Sequence, residues 1–314
     1  MEPIQTGIGG SEVEPNVAMQ AAFDGSRRGL ARALSYIENN QIGQIDPPSN
    51  YIPSDENEWH VLGVTGAPGV GKSCLVDKII QHWIEQGHKI AILAVDPTSP
   101  VTGGALLGDR LRMSNSDGED NVYFRSIATR KHGGSVPGVV AKMLELLIFC
   151  GWTKCIVETV GAGQGEIRVA AIADRILLVE APGRGDGVQA EKAGLIELAD
   201  LIVVNKSDLD GAQRTADEIR QALQVGATSP PQIMLASAAT GEGIEEMCIS
   251  IDQMDERGGG GRAKLLERVK AVHEQALLDS PQLENILELV ASGTSAEMAL
   301  QALDKQSPQN TQKE

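Results

Sequence analysis

One stretch constrains this chain more than any other: residues 60–75, HVLGVTGAPGVGKSCL. Gly66-x4-Gly71-Lys72-Ser73 follows an apolar run and opens an amphipathic one, so a glycine-rich turn joins a predicted strand to a predicted helix. Glycines let consecutive backbone N–H groups turn inward around an anion, and the following helix points its positive end at the same place. Gly66, Ala67, Pro68, Gly69, Val70, Gly71, Lys72 and Ser73 are therefore read as a phosphate cradle. Lys72 is placed to bridge the β- and γ-phosphates of a nucleoside triphosphate, and the Ser73 hydroxyl to ligate Mg²⁺.

The rest of the chain supplies a sheet to carry that loop. Short runs rich in Val, Ile or Leu recur at Val61–Val64, Ile90–Val95, Cys155–Glu158, Ile176–Glu180, Leu201–Asn205 and Ile233–Ser237. Helical patterns such as Cys74–Gln86 and Val139–Phe149 lie between them. This alternation predicts an α/β fold, a P-loop NTPase with a mostly parallel central sheet covered on both faces. Residues 1–57 read as a tail, a helix over Gly25–Asn39 and a proline-containing linker, with the first ~20 residues loose. Residues 58–257 read as the nucleotide-binding domain, 258–304 as a helical extension and 305–314 as a disordered tail. In the extension, Leu265, Val269, Val272 and Ala276 recur at coiled-coil-like spacing.

A phosphate loop does not name the base. Asn205-Lys206-x-Asp208 at a predicted strand end does, because a carboxylate there can accept from both the N1–H and the amino group of guanine. Lys206 can cover the ring, Asn205 can hold the loop, and backbone N–H groups near Ser237 and Ala238 could reach O6. Three further carboxylates lie in places suited to a metal or to an attacking water. Asp96 leaves a strand beside the loop, Asp109 follows in a glycine-flanked segment, and Glu158 opens Glu-Thr-Val-Gly161. A helix cap or a turn former explains either Asp as well. Lys192, in a glycine-rich segment over 181–192, could reach the site or a partner, and a solvated lysine is an equal explanation.

A formal net charge of −16 argues against nucleic acid and anionic membrane as partners, so an anionic ligand must be held by local geometry. No apolar stretch approaches a membrane span, and the acidic N-terminus has the form of neither a secretory signal nor a transit peptide. The four cysteines lack C-x-x-C spacing, and the five histidines form no i, i+3 or i+4 ligand pair. The expectation is a cytoplasmic protein with reduced thiols.

With those residues in place, the chain resembles the MeaB family of GTPases, chaperones of methylmalonyl-CoA mutase. The resemblance runs over residues ~20 to ~300 and is carried by GVTGAPGVGKS, AVDPTSPVTGGALLGDRLRM, VETVGAGQGE and ELADLIVVNKSD. It implies a fold of the class shared with signal-recognition and nickel-insertion GTPases, and a C-terminal extension that makes a homodimer. It further implies GTP or GDP held by Gly66 to Cys74, Asp208 and Ser237 to Ala239, with Mg²⁺ and catalysis served by Lys72, Ser73, Asp96, Asp109 and Glu158. A third switch around 182–192, including Lys192, would couple nucleotide state to the mutase. The implied output is gated delivery of adenosylcobalamin to a cobalamin-dependent acyl-CoA mutase, and its protection or rescue. Departures are Cys74, where the family more often has Thr, and weaker agreement over 114–135, over 181–191 and beyond 280. Two other readings are a nickel-type metallochaperone GTPase, which calls for His/Cys clusters, and an ATP-dependent kinase of a transport protein, which calls for adenine selectivity.

Overall fold

The structure, a computed structural model, describes residues 14–39, 41–53, 58–97, 120–129, 136–159, 167, 172–183, 190–223, 230–254, 261–278 and 280–304. A single sheet of seven strands organises them: β1 (Val61–Thr65), β2 (Ile90–Pro97), β3 (Val122–Thr129), β4 (Lys154–Thr159), β5 (Arg175–Glu180), β6 (Leu201–Val204) and β7 (Gln232–Leu235). Their order is β3-β2-β4-β1-β5-β6-β7, and every adjacent pair is parallel. β1, β4, β5 and β6 are buried along their whole length, as continuous apolar runs in a doubly covered parallel sheet should be. β1 is central, so the loop leaving its C-terminal end opens in the crevice where ligands of open α/β sheets bind.

Helices cover the sheet: α1 (Pro15–Phe23), α2 (Arg27–Glu38), α3 (Lys72–Glu85), α4 (Val136–Phe149), α5 (Ala190–Leu198), α6 (Ala212–Leu223) and α7 (Ile244–Gln253). One apolar layer joins α1, α2 and α4 to the face carrying Val61, Cys155 and Val157. The opposite layer joins α3 and α7 to Leu62, Val64 and Ile156. Strand residues one apart thus report to different helices, the period-2 consequence of a pleat.

The structure corrects the sequence reading in two places. The first ~20 residues are expected to be loose, yet Pro15–Phe23 form α1, whose Ala18 and Ala22 are buried. A Cβ on Gly29 would stand 2.7 Å from Ala21 Cβ, so α2 crosses α1 too closely for a larger residue. The second correction is β3, a seventh strand where no strand was expected. Its sequence, VYFRSIAT, breaks the apolar run with Arg125 because among the described residues it is an edge strand, pairing only with β2. Arg125 turns that exposure to use: it donates to Ala31 O and Ser35 Oγ at 3.1 Å and pairs with Glu38 at 2.6 Å. Arg27 likewise donates to the carbonyls of Asp120 and Val122. Two arginines therefore fasten the N-terminal helices along the sheet edge.

Beyond the domain lie α8 (Gly261–Leu278), α9 (Leu283–Ala291) and α10 (Ala296–Asp304). α8 is anchored by polar contacts. Lys264 forms a buried ion pair with Asp200, which also accepts from Ile176 N, and Arg268 donates to Ala173 O. Its apolar residues Leu265, Leu266, Val269 and Val272 face outward. Among the described residues, no helix is long and apolar enough to cross a membrane.

Candidate nucleotide-binding site

The loop from β1 to α3 has the backbone that its glycines predict. Gly66, Gly69 and Gly71 have φ of 139°, 78° and 95°, values that side-chain-bearing residues rarely adopt. Two of these glycines are also demanded by close approach. A Cβ at Gly66 would meet Val179 O at 2.1 Å, and one at Gly71 would meet Asn205 Nδ2 at 2.3 Å. α3 begins at Lys72, so its N-terminal N–H groups open into the loop. The Lys72 ammonium, buried, donates to Gly66 O at 2.6 Å and Ala67 O at 3.2 Å. It thus stands across the loop, where a triphosphate would exchange two carbonyl contacts for phosphate oxygens. Pro68, Gly69 and Cys74 are exposed, and Val70 is buried as the hydrophobic pin of the turn.

Glu158 reaches this loop from β4. Ser73 Oγ donates to Glu158 Oε1 at 2.8 Å, although 85 residues separate them. Glu158 is 3% exposed, so the carboxylate is held inside the sheet end rather than in solvent. Asp96 occupies the C-terminal end of β2, the strand beside β4, with Ala94 opposite Glu158 in register. Sheet order therefore brings Asp96 and Glu158 to neighbouring strand ends. The Asp96 side chain lies outside what is described; the Ser73 hydroxyl and the Glu158 carboxylate are hard oxygen donors of the kind Mg²⁺ takes, so the residues present fit that ion. Asp109 lies outside the described residues. Lys192 falls on α5, with its side chain outside what is described.

The loop after β6 is tied to the phosphate loop by two side chains. Asn205, buried, donates from Nδ2 to Val70 O at 2.8 Å and accepts from Ala238 N at 3.1 Å. Lys206 has φ 62°, unlike every other non-glycine residue described, and its ammonium donates to Gly69 O at 2.9 Å. Asp208 stands exposed at the lip, where Ser237 Oγ donates to its Oδ1. Ser237 is fully buried and its hydroxyl also accepts from Thr240 N at 3.2 Å, so one side chain holds both the carboxylate and the turn after β7. Ala238 is half-buried beside it and Ala239 exposed.

The sequence reading brought Ser237 in for its backbone alone. Its hydroxyl is the more informative group, and only the fold's placement of β7 next to β6 reveals that. Apart from Cys74 in the loop, the cysteines take no part in this chemistry. Burial pushes the thiols of Cys150, Cys155 and Cys248 up to about 12, which keeps them protonated and unreactive at neutral pH.

Comparison with known proteins agrees with this geometry. The profile of the family described as "Methylmalonyl Co-A mutase-associated GTPase MeaB" matches residues 30–291. A Pyrococcus horikoshii protein provisionally named a GTPase is 38% identical over 261 residues, covering 79% of this chain and 82% of its own. The Escherichia coli protein named GTPase ArgK is 38% identical, covering 71% of this chain and 70% of that one. The mouse protein named methylmalonic aciduria type A homolog, mitochondrial, is 39% identical over 196 residues, or 59% of this chain and 46% of its own. Among solved structures, one described as LAO/AO transport system kinase superposes with a TM-score of 0.61 at 21% identity, over 94% of this chain and 97% of that one. That last likeness speaks for the fold.

Proposed function

The chain belongs to the MeaB family of methylmalonyl-CoA mutase-associated GTPases, and from that membership we propose that it is a GTP-driven chaperone of a cobalamin-dependent acyl-CoA mutase. Its work is to gate delivery of adenosylcobalamin to that enzyme and to protect or reactivate it. The observation that carries the nucleotide half of this reading is the joining of two loops distant in sequence. Asn205 and Lys206 bond the carbonyls of Val70 and Gly69, so the base-reading and phosphate-gripping segments form one pocket. The mouse relative's name and the family description support the mutase half.

In this reading the triphosphate lies along the N–H groups of Gly66 to Cys74, with Lys72 moving from loop carbonyls to the β- and γ-oxygens. Asp208, oriented by Ser237, accepts from guanine. Ser73, Glu158, Asp96 and Asp109 would hold Mg²⁺ or its waters; the ion would neutralise charge on the γ-phosphate as its bond breaks. Glu158, held inside the sheet, orients a water rather than exchanging freely with solvent. Among the described residues no arginine bonds to the phosphate loop, and intrinsic hydrolysis is expected to be slow and stimulated by the partner. Lys192 and the 182–192 segment are the place assigned to that coupling. A second copy of the chain is assigned to the outward face of α8, and the compartment is the cytoplasm.

The test is a pull-down of purified acyl-CoA mutase with the chain loaded with a non-hydrolysable GTP analogue or with GDP, followed by GTP turnover with and without mutase. A nucleotide-dependent complex with turnover raised at least ~10-fold is expected. Neither a complex nor stimulation would overturn the chaperone reading, while leaving GTP binding standing.

A further inference from the structure

Two threonine hydroxyls meet beneath the phosphate loop. Thr159 Oγ1 donates to Thr65 Oγ1 at 3.3 Å, and the residues are 3% and 1% exposed. Thr65 ends β1, immediately before Gly66, and Thr159 ends β4, immediately after Glu158. The two strands pair with Val64 opposite Glu158, so the threonines occupy the next step of the same ladder.

Their direction decides what they can do. Val64 and Glu158 share the parity of Leu62 and Ile156, which face α3. Thr65 and Thr159 share the parity of Val61, Cys155 and Val157, which face α4. A nucleotide over the N-terminus of α3 is on the other side of the sheet from these hydroxyls. Any influence on chemistry must therefore pass through the backbone of the adjacent Gly66 and Glu158. Packing alone does not call for hydroxyls here. Val has nearly the shape of Thr, and a buried hydroxyl is unfavourable unless it is bonded. β1 is already gripped from its other edge, where Val179 O leaves no room for a Cβ at Gly66. The threonine pair closes the opposite edge.

We propose that Thr65 and Thr159 are positioning residues for the Mg²⁺-bound triphosphate. Their hydroxyl bond sets the offset between the entry to the phosphate loop and the strand end bearing Glu158, and so maintains the 2.8 Å approach of Glu158 to Ser73. The inference rests on the reading of Glu158 as a metal-side carboxylate.

The experiment measures the Mg²⁺ concentration required for half-maximal binding of a fluorescent non-hydrolysable GTP analogue, together with GDP affinity in EDTA, GTP turnover and Tm. Thr159→Val is expected to raise the Mg²⁺ requirement and lower kcat by about 5- to 10-fold, the worth of one neutral hydrogen bond. GDP affinity without metal should stay within ~2-fold, and Thr159→Ser, which keeps the hydroxyl, should return the Mg²⁺ requirement to within ~2-fold of the parent protein. The double variant Thr65→Val/Thr159→Val leaves no lone buried hydroxyl, so its Tm should recover while its Mg²⁺ requirement stays raised. An unchanged Mg²⁺ requirement in Thr159→Val would overturn the proposal, as would its full recovery in the double variant. Glu158→Gln separates the two levels. A normal Mg²⁺ requirement in Glu158→Gln defeats the reading of Glu158 itself, whereas an impaired Glu158→Gln beside a normal Thr159→Val defeats the positioning role alone.

Discussion

Asp208 shows what a single residue contributes to this pocket. Its carboxylate is exposed, yet one oxygen is held by the buried Ser237 hydroxyl, so it is aimed before any ligand arrives. Replacing it by Asn turns one acceptor into a donor facing the guanine N1–H. Asp208→Asn is expected to lose at least ~100-fold in GTP affinity and to favour xanthosine triphosphate, as measured by nucleotide competition. An unchanged preference for GTP would disprove the assignment. Gly66 makes the complementary point about backbone. With φ of 139° and Val179 O at 2.1 Å from any Cβ, Gly66→Ala must move β1 against β5. A loss of about 3 kcal/mol or more in urea unfolding is expected, with nucleotide binding lost in parallel. Both residues were legible in the sequence because each belongs to a contiguous motif. The Ser237 hydroxyl and the threonine pair were not, because their partners are 29 and 94 residues away.

At the scale of elements, the five interior strands and the edge strand β7 announce themselves as apolar runs, whereas β3, the other edge, does not. An edge strand can afford Tyr123, Arg125 and Ser126 because one of its edges meets helices rather than another strand. Arg125 joins β3 to α2 through Ala31, Ser35 and Glu38, half-buried and multiply bonded. Arg125→Ala is expected to destabilise the chain by about 2 kcal/mol, since it removes the ion pair with Glu38 and the hydrogen bonds to Ala31 and Ser35 together. The loss should appear as faster amide exchange in 27–38 and 122–129 before elsewhere; uniform exchange would show that the leader is not fastened by this contact. α1 was missed for a related reason. PNVAMQAAF carries few large apolar residues, and its helical state is supported by the tight crossing with α2 at Gly29.

For the whole molecule, the notable surface is on α8. Leu265, Val269 and Val272 are 60, 65 and 70% exposed, while polar Lys264 is buried against Asp200. The helix has thus turned its apolar side outward, the reverse of a surface helix that serves only its own core. The proposed homodimer would cover that face with a second copy. Val269→Asp is expected to weaken self-association by about 100-fold in sedimentation equilibrium without lowering Tm by more than a few degrees. A parent protein that is monomeric at tens of micromolar would rule out the assignment.

Contiguous pattern sufficed for the α/β class and for the glycine turn between β1 and α3, because each depends on residues within one turn or strand of one another. It also sufficed to place Asp96 and Glu158 at strand ends. Which strand ends are neighbours could not be read in that way. The insertion of β4 between β2 and β1 brings Glu158 to Ser73, and the pairing of β7 with β6 brings Ser237 to Asp208. Those contacts span 85 and 29 residues, and hydrogen bonds between side chains so far apart leave no periodicity for a local pattern to reveal. The chain's spacing named the parts of the pocket; strand order in the folded sheet brought them within bonding distance.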